Sequence, residues 1–202
     1  PVYPKRLRDA MRADLMSLVN ECHGTRRESE AAWFLTPTPW VAPMAYHHIV
    51  FKPAAPQPIA ESAECLGFPE ELSRLLSETN GAIVFSGSLA LYGVVDRGRL
   101  LNRSDPFARL PFDIERENLG WDYAPERLLV VGGYRLDGSR ACIDRSDSRV
   151  LVFPRGARDP IAAFPDLSTW IAEEIDRYRT LYDEAGRLIA RQEETGPPRR
   201  TN

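Results

Sequence analysis

The chain has few of the residues from which catalytic and cofactor sites are usually built, and each shortage excludes something. It holds only three cysteines, Cys22, Cys65 and Cys142, far apart and odd in number. A disulfide framework is not expected from them, and a reducing compartment fits better. C-x-x-C and H-E-x-x-H are both absent, so no zinc pattern stands out. Lys5 and Lys52 are the only lysines, and neither lies near a glycine loop, which removes a Walker-type phosphate cradle. G-x-S-x-G is missing. No apolar run approaches the roughly 18 residues of a membrane span. The net charge is −3, so no bulk attraction to DNA or to an anionic membrane is expected. The opening PVYPKRLRDAMRADLM has no apolar centre like that of a secretory signal, and a cytoplasmic location is the expectation.

What remains is an ordinary globular composition, 43% apolar and 27% charged over 202 residues. That length suits one domain with an elaboration, large enough to bury roughly 70% of its unfolded surface without a metal or disulfide. Leu7, Met11, Leu15, Leu18 and Val19 predict a helix over 4–20. Residues 32–35 and 46–51 read as strands, and the proline-rich 52–58 as a stiff connector and domain boundary. A helix over 59–66 stops at Gly67. A second starts at Pro69, suited to the first helical position, with Glu70 and Glu71 at its positive end and Leu72, Leu75 and Leu76 as its buried stripe. Asn80-Gly81 is expected to end it.

Strands follow at 82–85 and 89–95, then a long irregular connection over 96–124 with a short helix near 114–119. A meander comes next, with strands at 127–134, 140–144 and 150–153 turning at Asp137-Gly138 and 146–148. The last helix is predicted over 167–192 with Asp166 as its cap and Trp170 on its packed face.

Several constellations admit two readings. Gly132-Gly133 follows an apolar strand like a nucleotide loop, but no helix opens after it, and a bulge is the plainer reading. His47-His48 with Cys22-His23 could be imagined as metal ligands, yet neighbours on a strand point to opposite faces. Ser86-Gly87-Ser88 superficially resembles a nucleophile elbow. Cys65 is placed on the apolar side of its helix. Asp144 and Asp147 flank a turn and are either solvated or a cation pair. Acidic clusters, Glu61 to Glu78 and Asp166 to Glu184, are either ordinary helix faces or a complement to a basic partner. Trp40 and Trp121 lie in loops, as interface anchors or core caps.

The segment IAESAECLGFPEELSRLLSETNG resembles the opening of the SUKH superfamily, the Syd and Knr-type domains. The resemblance is carried by Glu64, Leu66 and Gly67, then Pro69, Leu72, Leu75 and Leu76, then Asn80-Gly81 and Leu91-Tyr92-Gly93. LLVVGGYRLDGSRACID and LSTWI resemble its later strands and closing helix. The likeness spans residues 59–180, and Phe68 stands where leucine is usual. It implies an α+β fold, a mostly antiparallel sheet flanked by helices. Residues 1–57 would add a helix-plus-strands extension packed on a domain over 58–192, with a flexible tail from 193.

The resemblance also implies a protein that binds rather than catalyses. Many bacterial members are immunity proteins that block a toxin; others are regulatory scaffolds. The expectation is therefore a non-catalytic domain without cofactor or metal, monomeric or weakly dimeric. It would neutralise a toxin by occlusion or, alternatively, bind an endogenous partner. The 96–124 connection is where contact is expected, through Asp96, Asp105, Phe107, Asp113, Glu115, Glu117 and Trp121. Gly67, Pro69, Asn80, Gly81 and Tyr92 are expected to be structural.

Overall fold

The computed structural model describes residues 15–20, 22, 24–37, 46–97, 109–119 and 126–198. Within them the fold is α+β, as expected: a nine-stranded antiparallel sheet with five helices. A helix α1 covers 15–20, followed by β1 (Thr25–Glu28), β2 (Ala32–Thr36) and β3 (His48–Phe51). Helices α2 (Pro56–Leu66) and α3 (Glu70–Glu78) lead to β4 (Ala82–Val84) and β5 (Leu89–Leu91). Helix α4 (Ile114–Leu119) precedes β6 (Leu128–Tyr134), β7 (Arg140–Asp144), β8 (Val150–Phe153) and β9 (Ala162–Phe164). Helix α5 (Leu167–Leu181) closes the core. Strand order in space is strand order in sequence, so the sheet is a meander whose every pairing joins chain neighbours. Strands β1 to β3, from the segment read as an extension, continue the same sheet: Ile49 of β3 pairs with Ile83 of β4, and Val50 with Ala82.

Pleating gives the sheet two faces. On one, Val84, Leu89, Leu91, Leu129, Ile143, Val150, Val152 and Phe164 join a core cluster with Trp170, Ile171, Ile175 and Tyr178 of α5. Full burial of each large side chain contributes about 1.5–3 kcal/mol, so α5 needs no further fastening. Asp166 caps it by accepting a hydrogen bond from the Thr169 N–H at 2.7 Å, and the Trp170 indole N–H donates to the Tyr134 hydroxyl at 3.0 Å. The other face carries a smaller cluster, Ala32, Phe34 and Phe51 with Tyr46, Ile49 and Ile83.

The bulge falls one step earlier than the sequence suggests: register against β7 shifts between Val130 and Gly132, which leaves Val131 as the extra residue, while Gly132 and Gly133 pair regularly with Ala141 and Arg140. Both glycines are sites of close approach, to backbone at Gly132 and to a side-chain end at Gly133. A Cβ on Gly132 would lie 2.6 Å from the Ala90 carbonyl oxygen and 2.6 Å from the Trp170 ring, on the α5 side. A Cβ on Gly133 would lie 2.7 Å from the Tyr92 hydroxyl, on the opposite side.

Several elements depart from expectation. The final helix ends at Leu181, not near 192. Tyr182 turns extended and bridges Leu188, because the Asp183 carboxylate takes the backbone N–H groups of Ala185 and Arg187 and Gly186 adopts φ +72°. This local turn competes with the helix and wins. The chain then forms a 3₁₀ turn over Gln192–Thr195 instead of fraying, with the buried Tyr178 hydroxyl donating to the Thr195 carbonyl at 2.6 Å. Glu174, which the sequence places in an acidic surface, is 1% exposed and is gripped by Arg177, which also donates to the Glu194 carbonyl at 2.7 Å.

Two strands have no counterpart in the sequence pattern. β1 is TRRE, without an apolar alternation, and β9 is only three residues long. Helix α2 starts inside the proline-rich connector because Pro56 and Pro58 suit a first helical turn, where their missing N–H groups cost nothing. Helix α3 starts one position later than expected, with Pro69 as its N-cap and the Pro69 carbonyl as its first acceptor, and Thr79 ends the helix; Gly81, at φ +81°, lies beyond that cap. The predicted helix over 4–14 lies outside the described residues. Cys65 is exposed, not on the packed face: the buried positions of α2 are Ile59 and Ser62.

Replacing Gly132 with alanine should cost about 2–3 kcal/mol by forcing Trp170 off the sheet. Gly156→Ala, with nothing within 4 Å of its Cβ position, should cost about 1 kcal/mol for its left-handed backbone alone. Urea unfolding of the two variants checks the order; equal losses would show that the Gly132 contact carries no constraint.

Candidate binding cleft

One cross-strand row runs over seven strands of the face opposite α5: Phe34, Ile49, Ile83, Ala90, Gly133, Arg140 and Phe153 are successive register partners. The row is bulky at its ends and small at Ala90 and Gly133. The sheet is therefore hollow where those two meet, and a cleft of about 470 Å³ opens there. Tyr92 and Phe112 make one side, with ring centroids 5.9 Å apart. Burial pushes the Tyr92 hydroxyl up to about 12, with the Glu117 carboxylate adding to the shift, so it stays protonated as a neutral donor. Arg135, Arg140 and Arg155 also line the cleft, with Glu117 the sole carboxylate among its lining residues.

The wall bearing Phe112 is held by two asparagines that imitate backbone. Asn80 donates to the Val94 carbonyl at 2.9 Å and accepts from the Val94 N–H at 2.8 Å. Asn118 does the same to Val130, at 2.9 Å in both directions, and also donates to the Ile114 carbonyl. Between these clamps Gly93 pairs with the 112–114 segment through Gly93 N–H to the Phe112 carbonyl and Ile114 N–H to the Gly93 carbonyl, each 2.9 Å.

The residues expected to make contact divide three ways. Asp105, Phe107 and Trp121, with Trp40, lie outside the described residues. Asp113, Glu115 and Glu117 are committed inside the protein. The Asp113 carboxylate accepts the Glu115 N–H at 3.0 Å and starts α4. Glu115 accepts from Ser62 of α2 and from Arg97, each at 2.6 Å. Glu117 pairs with Arg140 at 3.6 Å. Asp96 is exposed and borders a small hollow with Arg109 and Pro111.

Of the structural set, Gly67 caps α2 in the left-handed conformation, Asn80 is a clamp, and Tyr92 stands over Gly133. Sequence reasoning does not single out the arginines or Phe112 as site residues. Phe112 and Arg155 follow no motif; the signal available for the cleft floor is glycine inside an apolar strand.

A second hollow, about 540 Å³, is lined by Cys22, His47, His48, Phe85, Tyr182 and Asp183 among others. The histidines do not diverge as strand neighbours would. His47 precedes β3, and the two rings meet edge-on at 4.3 Å. The Ser86 Oγ lies 3.0 Å from His47 Nδ1, within the turn Phe85-Ser86-Gly87, where all three residues have positive φ. Asp183 supplies no orienting bond to His47 among the described residues; its carboxylate is taken by Ala185 and Arg187. The Phe85 N–H donates to His48 Nδ1. No group of three or more His, Cys, Asp or Glu among the described residues could hold a metal ion. Asp144 accepts from the Ser146 N–H and hydroxyl, and Asp147 from Arg149, so each belongs to its turn. Among the described residues no helix is long and apolar enough to cross a membrane.

Burial pulls His47 down to about 4, only partly opposed by Asp183, and pulls His48 well below its ordinary value, with His47 and Arg179 adding to the effect. Both are neutral in the folded protein near pH 7. The unfolded chain titrates near 6.5, so it takes up protons first as pH falls. Stability is therefore full above pH 6.5 and declines from there toward pH 4. The His47 contribution alone should be about 2 kcal/mol between pH 7 and 4.5. His47→Gln should narrow its gap to the wild type across that window in urea unfolding; a constant gap would contradict the burial account. Asn118→Ala should cost about 1–3 kcal/mol, because it leaves the Val130 N–H and carbonyl unpaired, and should raise amide exchange in α4 before that in α5.

No family model, curated protein or solved structure matches this chain.

Proposed function

We propose that this chain is a non-catalytic protein-binding domain that acts as an immunity protein, blocking a cognate toxin by covering it. The observation that carries the reading is the hollow in the sheet face away from α5. It combines an aromatic wall, a floor of Ala90 and Gly133, and arginine at the rim. Aromatic and arginine side chains around a preformed hollow are the composition of interface hot spots. Phe112 is 46% exposed, and Leu110 and Leu119 nearby in the chain are 40% and 76% exposed. Apolar exposure of this kind next to a concave site favours a macromolecular partner.

The SUKH resemblance supports the immunity reading in particular. The wall of the cleft is held at both ends by backbone-like asparagine bonds, so it meets a partner already shaped. The polar groups of the histidine hollow are spent on internal bonds, which fits a folding role there.

Co-expression with the product of a neighbouring toxin-like gene tests this. The wild type should restore growth and co-purify with that product. Phe112→Ala, at a half-exposed position that leaves the core intact, should weaken the complex about tenfold or more. Failure of every neighbouring gene product to bind or be neutralised would refute the immunity reading.

A further inference from the structure

Resting on that binding reading, the chemistry of the cleft narrows the partner. Three arginines line it, each from a different part of the meander: Arg135 at the end of β6, Arg140 opening β7, and Arg155 just past β8. They are brought together because β6, β7 and β8 are register neighbours, with Arg140 opposite both Gly133 and Phe153. Their surroundings are not balanced. Glu117 is engaged by Arg140, both by the 3.6 Å ion pair and by the Arg140 guanidinium donating to the Glu117 carbonyl at 3.0 Å. The guanidinium groups of Arg135 and Arg155 have no ion pair or hydrogen bond among the described residues, and both residues are exposed. Their stems are placed: the Arg135 guanidinium lies 3.4 Å from a Cβ built on Gly87, and the Arg155 Cδ lies 3.4 Å from one built on Gly138. The two arginine side chains thus lie at van der Waals distance from the turns at Gly87 and Gly138, where φ is +86° and +72°.

We propose that the cleft binds an acidic peptide segment of the partner, with a carboxylate side chain held by Arg135 and Arg155 and an adjoining apolar or aromatic side chain seated over Ala90 and Gly133 against Tyr92 and Phe112. Guanidinium groups pair with carboxylates through parallel N–H···O bonds, the strongest polar contact available to a side chain. A carboxylate leaving water is compensated here by two uncommitted cations, and the aromatic wall lowers the local dielectric around that pair. The alternative anion, a nucleic-acid backbone, fits less well. The net charge of the chain is −3, and three arginines in one hollow flanked by aromatic rings match a short mixed acidic–apolar sequence better than a run of phosphates. The sign also reverses the expectation of a basic partner drawn to acidic helix faces.

The test can be run before the partner is identified. A random peptide library is panned on the full chain and counter-selected on the Arg135→Glu/Arg155→Glu double variant, whose retained fold is verified by its urea midpoint. Enriched peptides should carry Asp or Glu within two or three residues of an aromatic or large aliphatic residue. Their synthetic versions should bind at least tenfold more weakly to the double variant and lose affinity as salt rises from 50 to about 300 mM. A single-stranded dT 12-mer and inorganic phosphate serve as competitors and should displace nothing at matched charge. Enrichment without acidic residues, equal binding to the variant, or tighter binding of the dT 12-mer would overturn the assignment. The two readings fail separately. If the double variant still neutralises the toxin in cells, the acidic-segment inference falls and the binding function stands. If acidic peptides bind the cleft but no neighbouring toxin is neutralised, the immunity reading falls alone.

Discussion

A methyl group on Gly132 would sit 2.6 Å from both the Ala90 carbonyl oxygen and the Trp170 ring, and one on Gly133 would sit 2.7 Å from the Tyr92 hydroxyl. At Gly132 backbone stands in the way of any side chain, and at Gly133 a side chain would have to displace the Tyr92 hydroxyl, so the two faces of the sheet depend on these adjacent positions of β6 differently. On one side Gly132 lets the indole of Trp170 lie against backbone, and that contact seats α5 on the core. On the other side Gly133 removes a side chain from the middle of the cross-strand row and so opens the cleft. Ordinary pleating sends these consecutive residues to opposite faces, and both lie in regular register with β5 and β7. Ordinary side chains at the two positions would crowd the hollow and lift the helix.

The same economy governs the cleft wall. A six-residue helix such as α4 is too short to be stable alone. It is fixed by the Asn118 clamp to β6, by Glu115 to Ser62 of α2, and by Arg140 to the Glu117 carbonyl. The Glu115 and Glu117 carboxylates, which a surface reading would assign to a partner, are spent on Ser62, Arg97 and Arg140. What is left in the cleft is cationic and aromatic, and the proposed binding chemistry follows from that remainder.

Much of the fold was legible because meander strands announce themselves locally. Leu128-Leu129-Val130-Val131, Arg140 to Asp144 and Val150 to Phe153 are short, β-rich and separated by turn residues, and their pairing partners are chain neighbours. Helix α3 was legible from its leucine stripe. The failures have physical causes of the opposite kind. The helix after Leu181 was lost to an Asp183 side chain competing for backbone N–H groups, which apolar periodicity does not register. β1 is held by its backbone pairing and by polar contacts of Arg26 with Trp33 and Glu28 with Lys52, and its TRRE sequence carries no apolar strand pattern. The site was the least legible part. Arg135, Arg140 and Arg155 share no sequence pattern and converge only once the register is known, and Glu115 and Glu117 read as free acids until their partners are in place.

If the partner docks on the cleft face, hydrogen–deuterium exchange of this chain, alone and in complex with the neighbouring toxin-like gene product, reports it most directly. Slowed exchange should concentrate at Tyr92, at 109–119 and at 133–140, while α5 stays unchanged. Protection confined to the outer surface of α5, with those segments exchanging as in the free protein, would contradict the account.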